Sequence, residues 1–335
     1  MPTPGFAAHW ATELGASPQS LKRLQGGINN RVFSCGSANK LWVIKGYTPR
    51  QPGQHDRMQA EVEFLQFAQR VAPCCTPALY QIDHERRCVV LEHLEGKAFP
   101  EGVQPSETSV VEAVEFFRKI NSRHRLAKRC IHQNASEGFP SLRGHLRNVH
   151  ERLERMNCSH LDPKFRRQVG TLLEQLHREL AETKHRTDRM IDQGMVDDEI
   201  DDGLRCISPS DFGFQNAIQT PQGVCFIDFE FAGWDDPAKA AQDFVLQPRV
   251  PVAKSPSPLL DAIPPEHRMI VDRRYEAMGP ILQLKWVCIQ LAILQPKRFK
   301  EILNVAPEQT TSSAIQIRLE KASNFLRQIR TSKDL

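Results

Sequence analysis

The sequence predicts an α+β fold in two lobes, a small β-rich N-terminal lobe followed by a larger α-helical C-terminal lobe. Three observations carry this. The first ninety residues read as strand, strand, helix, strand, strand. From about residue 105 apolar residues recur at helical spacing. Within that helical part, residues 204 to 232 turn back to short strands. The expected boundary lies near Glu92 to Gly96, dividing the chain into 1–94 and 95–335.

Each element has its own signal. Arg31 to Cys35 is a short strand, Gly36 to Asn39 a turn, and Leu41 to Lys45 the returning strand. Met58 to Arg70 is helical, with Val62, Leu65 and Ala68 in rough 3.6 rhythm. Ala78 to Ile82 and Cys88 to Leu94 are strands around the turn Asp83-His84-Glu85-Arg86. Helical spacing follows in Val110–Ile120, Leu142–Met156, Pro163–Thr183, Arg268–Leu294 and Ser312–Ile329.

Composition bounds the function. The chain has 335 residues, 40% of them hydrophobic and 25% charged, with a net charge of +4. That size supports one large domain or two closely packed lobes. The positive excess is mild, and no one-sided Lys/Arg face with interleaved aromatics occurs, so nucleic acid is not an expected partner. No run of about 18 apolar residues exists, so no membrane partner is expected either. The opening MPTPGFAAHW lacks a basic start followed by an apolar stretch, and a cytoplasmic location without a signal peptide is the expectation. Nine cysteines, an odd number without a Cys-x-x-Cys pair, argue against a zinc site or a disulfide framework. The acidic stretch Asp197 to Asp202 reads as a solvated loop or helix start, and His145, His150 and His160 as surface residues.

The chemistry concentrates in Ser208-Pro-Ser-Asp211-Phe-Gly-Phe-Gln-Asn216 followed by Ile227-Asp228-Phe-Glu230. Asp211 and Asn216 have the Asp-x-x-x-x-Asn spacing of a phosphoryl-transfer loop. Between Asn216 and Asp228 lies a hairpin pattern, Ala217–Thr220 and Val224–Ile227 around Pro221-Gln222-Gly223. Symmetry about residue 222 predicts that 216 and 228 oppose each other, bringing an amide oxygen and a carboxylate together. Such hard oxygen ligands suit Mg²⁺. Asp211 would then accept the proton of an attacking hydroxyl. Each piece alone also reads as turn chemistry; the ordered set is what points to function.

The N-terminal part supplies matching pieces. Gln25-Gly26-Gly27-Ile28-Asn29-Asn30 precedes a strand and can fold over phosphates with its backbone amides. Lys45 ends an apolar strand. Glu61, sixteen residues on in the first turn of the helix, is its expected ion-pair partner. Glu63 is the alternative, disfavoured because it points off the Glu61–Leu65 face.

Gly26-Gly-Ile-Asn-Asn-Arg-Val-Phe33, Val43-Ile-Lys45, Val89-Val-Leu-Glu-His-Leu-Glu-Gly96, Asp211 to Asn216 and Ile227 to Gly233 together resemble the aminoglycoside phosphotransferase and choline kinase superfamily, from about residue 20 to 245. The resemblance implies a two-lobed protein-kinase-like fold, ATP and Mg²⁺ as cofactors, and a small-molecule hydroxyl acceptor such as an amino sugar, amino alcohol or aminoglycoside. It implies Asp211 as base, Asn216 and Asp228 as metal ligands, and Lys45 with Glu61 as the phosphate-positioning pair. It places Gly26, Gly27, Asn29 and Asn30 in the glycine loop, and assigns adenine to backbone groups of Glu92, His93 and Leu94. Residues 1–94 become the nucleotide-binding lobe, and 95–335 the catalytic and acceptor-binding lobe. Asp243 is expected to cap a helix, and Trp234 to be either packed or in the acceptor pocket. One departure stands out: the family's His-Gly-Asp is Pro209-Ser210-Asp211 here. The missing histidine, which normally buttresses the loop, supports an alternative, a catalytically weak nucleotide-binding protein acting through a partner. Oligomeric state has no signal.

Overall fold

A computed structural model describes residues 5–24, 30–37, 40–49, 53–253 and 255–331. These fall into two compact units, one drawn from Met1–Gly138, Arg205–Asp235 and Gln247–Ile263, the other from Phe139–Leu204, Asp236–Leu246 and Pro264–Leu335.

The first unit opens with helix α1 (Gly5–Glu13) and an antiparallel five-stranded sheet of β1 (Lys22–Arg23), β2 (Asn30–Ser37), β3 (Lys40–Tyr47), β4 (Leu79–Asp83) and β5 (Cys88–Glu92), in the order β1-β2-β3-β5-β4. Helix α2 (Arg57–Val71) interrupts it; Asp56 caps its start by accepting from the Gln59 amide. The strand-strand-helix-strand-strand expectation is met, with β2 and β3 longer than their apolar runs. Part of the expected turn, Ala38-Asn39, lies outside the described residues.

Strand β6 (Lys97–Ala98), helices α3 (Glu107–Asn121) and α4 (His124–Cys130), and strands β7 (Cys206–Ser208), β8 (Ala217–Thr220), β9 (Gly223–Phe226) and β10 (Gly233–Asp235) complete this unit. Lys97 pairs with Gln219, which ties the segment after Glu92 to the hairpin. Compactness therefore groups residues differently from the lobes expected at 94/95, because the hairpin and the loop before it join the N-terminal strands. Gly96 is needed here: a Cβ would collide with the Gln219 carbonyl oxygen.

Aromatic rings fill the space beneath the hairpin. Phe116 stacks on Phe226 at 4.9 Å and contacts Phe212 at 5.8 Å. Phe116 and Phe117 are both core residues. Burying rings of this size supplies most of the local stability, about 1.5–3 kcal/mol each.

The second unit is helical: α5 (Leu142–Glu154), α6 (Arg166–Asp192), α7 (Pro237–Leu246), α8 (Pro265–Gln290), α9 (Pro296–Val305) and α10 (Ser312–Thr331). The acidic stretch is a largely exposed loop, as expected, and buried Arg274 fastens it by donating to the Asp197 and Asp198 carbonyls and to Asp236. Two expectations fail. His145 is not a surface residue; it is buried, and its Nε2 donates to the Phe139 carbonyl at 3.1 Å. Its helix turns it inward, where Lys239, Lys285, Arg274 and Asp243 face it. Asp243 caps nothing. The capping carboxylate of α7 is Asp236, which accepts from the Ala238 amide at 2.8 Å. Asp243 sits inside α7, paired with buried Lys285 at 2.7 Å and with Lys239 at 3.4 Å.

No described helix is long and apolar enough to cross a membrane. No disulfide joins any of the nine cysteines, and no group of three or more His, Cys, Asp or Glu among the described residues is arranged to hold a metal ion.

Candidate active site

Strand β3 alternates its side chains, and Lys45 points to the face on which α2 packs. Its ammonium is buried and lies 2.5 Å from Glu61 Oε2 and 2.5 Å from Asp228 Oδ1. Burial opposes the charge, but Asp228 and Glu61 more than offset it and raise the lysine pKa above its ordinary value. Glu63 is bound elsewhere, by the ring nitrogen and backbone amide of His132 at 2.8 and 3.0 Å. The expected choice of Glu61 over Glu63 is what the structure has.

Tyr47, two residues beyond Lys45 on the same face, donates its hydroxyl to Glu61 Oε2 at 2.6 Å. One carboxylate oxygen thus receives both an ammonium and a phenol. Strand alternation puts Tyr47 on the face of Lys45, which is the sequence signal that marks it.

Asp228 follows β9 with φ +67°, a left-handed backbone that costs a non-glycine residue about 1 kcal/mol. Phe229, next in the chain, is buried and stacks on Phe64 of α2 at 4.3 Å. The helix carrying Glu61 and the segment carrying Asp228 are therefore locked together by their rings.

The hairpin corrects one expectation. Its pairs run Ala217↔Phe226 to Thr220↔Gly223, a two-residue turn of Pro221-Gln222. Gly223, at φ +124°, is already in the returning strand. Asn216 therefore faces Ile227, whose amide donates to the Asn216 carbonyl at 2.9 Å, and not Asp228. A shift of one residue would reverse the face in a regular ladder. The left-handed turn at Asp228 breaks that ladder, and its carboxylate reaches Lys45 instead.

Asp211 is exposed, and its carboxylate accepts from Gln215 Nε2 and Asn216 Nδ2, both at 3.0 Å. Ser210, where the resembling family has glycine, has φ +67°. Its amide donates to Ser208 Oγ at 2.9 Å and its hydroxyl to the Ser136 carbonyl at 3.1 Å. These serine hydrogen bonds fasten the loop.

Glu230, which sequence reasoning passed over although it ends the Ile-Asp-Phe-Glu string, is buried. It accepts from Asn30 Nδ2 at 2.6 Å, and its carbonyl accepts from His55 at 3.0 Å. Burial and the adjacent Asp228 charge raise its pKa. Asn30 thus lies at the site, while Gly26, Gly27 and Asn29 lie outside the described residues.

Asn30, Lys45, Glu61, Asp228 and Glu230 line a cavity of about 280 Å³, and Asp211 and Asn216 are not among its lining residues. Its lining is largely apolar, with Leu24, Val32, Val43, Leu91, Ile218 and Ile227, and it includes Glu92, His93 and Leu94. An apolar lining with a few polar groups suits a flat heterocycle. The Glu92 amide is already committed to the Ala78 carbonyl at 2.8 Å. Asn216 spends its amide nitrogen on Asp211, which leaves an amide oxygen as donor, and the Asp228 side chain is 38% exposed. The amide oxygen and the Asp228 carboxylate oxygen are each of the kind a small hard cation takes while keeping its waters, although the register pairs Asn216 with Ile227 and not with Asp228.

Trp234 is packed, its Nε1 donating to the Ile131 carbonyl at 2.9 Å and its ring edge-on to His124.

The sequence profile of the phosphotransferase enzyme family called APH matches residues 20–246, more than half of the chain. The chain belongs to the APH phosphotransferase family. It is therefore a kinase of the type that phosphorylates hydroxyl groups, and Asp211, Asn216 and Asp228 all lie within the matched span. Solved structures agree in fold. Choline kinase LicA from Streptococcus pneumoniae superposes with a TM-score of 0.58 at 14% identity, covering 96% of this chain and 98% of its own. Spectinomycin phosphotransferase APH(9)-Ia, solved with ADP and spectinomycin, gives a TM-score of 0.58 at 12% identity over 97% and 99%. A thermostable mutant of the aminoglycoside phosphotransferase APH(4)-Ia, solved with AMP-PNP and hygromycin B, gives 0.52 at 12% identity over 97% and 98%. No curated protein sequence matches the chain.

Proposed function

We propose that this APH-family phosphotransferase moves the γ-phosphoryl group of ATP to a hydroxyl of a small amino sugar, amino alcohol or aminoglycoside-like acceptor. The observation that carries the proposal is Lys45, held charged between Glu61 and Asp228 at the polar end of an apolar slot. The adenine lies between Val32 and Ile218, with its edge toward Glu92–Leu94. Lys45 meets the α- and β-phosphates, and Glu61 and Tyr47 fix its position. Residues 1–94 then serve as the nucleotide-binding lobe, and 95–335 as the catalytic and acceptor-binding lobe.

Asn216 and Asp228 would hold Mg²⁺, which supplies neutralisation of the charge on the transferring phosphoryl group. Asp211 orients the acceptor hydroxyl and takes its proton. Gln215 and Asn216 aim that carboxylate, so the base is positioned before the acceptor arrives. The serine bonds at 208 and 210 hold the loop without the usual histidine.

A screen of hydroxylated amines and amino sugars for acceptor-dependent ATP consumption, with and without Mg²⁺, tests the proposal. Consumption that rises with one acceptor class and needs magnesium supports it. Absence of nucleotide binding to the purified protein ends it.

A further inference from the structure

Helices α5 and α6 form a second cavity, of about 510 Å³, and no residue of the nucleotide slot lines it. Its lining follows the helical repeat. Arg143, Leu146, Arg147 and His150 stand at i, i+3, i+4 and i+7 on α5. His177, Leu180, Ala181, Lys184 and Asp188 continue the same spacing on α6. Each helix therefore turns one row of side chains into the groove, and Arg143 Nε meets Asp188 Oδ1 at 2.9 Å where the rows touch.

Burial sorts these rows. Leu146 and Leu180 are buried and form the base, while Arg143, Arg147, His150, His177 and Lys184 are exposed and form the rim. Among the described lining residues the single carboxylate, Asp188, is already committed: Oδ1 accepts from Arg143 and Oδ2 from Lys184 at 2.7 Å. Arg143 is shared further with Asp192 and Asp198, at 3.7 and 3.6 Å. Arg147 is different. It has no hydrogen bond or ion pair to any described residue, and neither has His150 or His177. A cationic ligand would find no uncommitted carboxylate and would face Arg143, Arg147 and Lys184. An anion finds an unclaimed guanidinium, whose fork donates two parallel N–H bonds to a carboxylate. A bare hydrated ion leaves the apolar base wet, whereas a hydrocarbon or ring covers it.

We infer that this groove binds a small amphipathic carboxylate, its headgroup on Arg147 and its apolar body along Leu146, Leu180 and Ala181. One unclaimed guanidinium matches one negative charge, so a monoanion suits the groove better than the several charges of a nucleotide. The site does not depend on the roles given to Lys45, Asp211 and Asp228.

The test is a calorimetric titration of the full chain with octanoate, acetate and octylammonium. Saturable binding of octanoate is expected. Acetate, which lacks the tail, and octylammonium, which reverses the charge, are each expected to bind at least tenfold more weakly. Arg147→Gln loses about tenfold in octanoate affinity, as removal of a charge-assisted hydrogen bond requires. Arg186→Gln changes another exposed arginine of α6, one outside the lining, and keeps wild-type affinity, which separates a contact from net charge. Both side chains are exposed, so neither substitution threatens the fold. Ala181→Phe fills the groove and weakens octanoate by a similar factor. No saturable octanoate binding, octanoate no tighter than acetate or octylammonium, wild-type affinity in Arg147→Gln or Ala181→Phe, or equal loss in Arg147→Gln and Arg186→Gln overturns the site. Each of these results is independent of whether the slot binds ATP.

Discussion

Lys45 Nζ lies 2.5 Å from Asp228 Oδ1, joining a strand of the five-stranded sheet to a residue 183 positions later. The contact sets the floor of the site, because the same ammonium is held 2.5 Å from Glu61 on α2. Removing the ammonium leaves Glu61 buried without its counter-charge. Breaking a buried pair in this way costs about 3–5 kcal/mol. Lys45→Met is expected to lower the melting temperature markedly and to weaken ATP binding at least tenfold, measured by thermal shift and calorimetry. Wild-type nucleotide affinity in this variant contradicts the role. The raised pKa also has a sign: the pair's contribution is complete below the free-lysine value and is lost as pH climbs past it through the higher folded value.

Asp211→Asn is nearly isosteric and removes the carboxylate proposed above as the proton acceptor. Turnover is expected to fall about a hundredfold or more, in line with general-base contributions, with little change in nucleotide affinity. Steady-state kinetics with any acceptor found in the screen decides this. Unchanged turnover removes Asp211 from the chemistry.

Asp228→Ala deletes a carboxylate that faces both Lys45 and the slot. Nucleotide binding in this variant is expected to become indifferent to Mg²⁺. Titrations with and without the metal measure it, and retained magnesium dependence would assign the cation to other residues.

Ser210 has φ +67° and takes the place of a glycine in the family pattern. Alanine there keeps the backbone cost and loses the hydrogen bond to Ser136; glycine removes the cost. Ser210→Gly is therefore expected to be more stable than Ser210→Ala by about 1 kcal/mol. Denaturant melts of the two variants compare them directly, since both lack the hydroxyl, and the reverse order would show that the left-handed backbone does not govern this position.

His145 is buried in the helical unit facing Lys239, Lys285, Arg274 and Asp243. Burial first, then Lys239 and Lys285, lower its pKa well below the ordinary value. The unfolded chain binds the proton more readily, so stability is complete above about pH 6.5, the free-histidine value, and falls as pH drops below it. His145→Gln is expected to flatten that slope between pH 7 and 5 in unfolding titrations. An unaltered slope would place the proton uptake on other groups.

Much of this protein was written locally. The strand-helix-strand order, the Lys45 and Glu61 pairing, and the Asp211 and Asn216 spacing rest on alternation, helical rhythm and short-range turn chemistry, which neighbouring residues dictate. The sequence alone also carried enough of the family pattern to place the chain among the phosphotransferases. Tertiary structure decided what depends on residues far apart in the chain. Register slipped by one at the hairpin because Pro221-Gln222 closes a two-residue turn, so Asn216 met Ile227. The left-handed backbone at Asp228 then directed its carboxylate to Lys45, and Phe64 stacked on Phe229 to hold both sides. Asn30 found Glu230 across 200 residues, and His145 and Asp243 went to the interior. Such contacts are selected by burial and by the pairing of charges in a low-dielectric interior, and pattern within a window of a few residues does not carry that information.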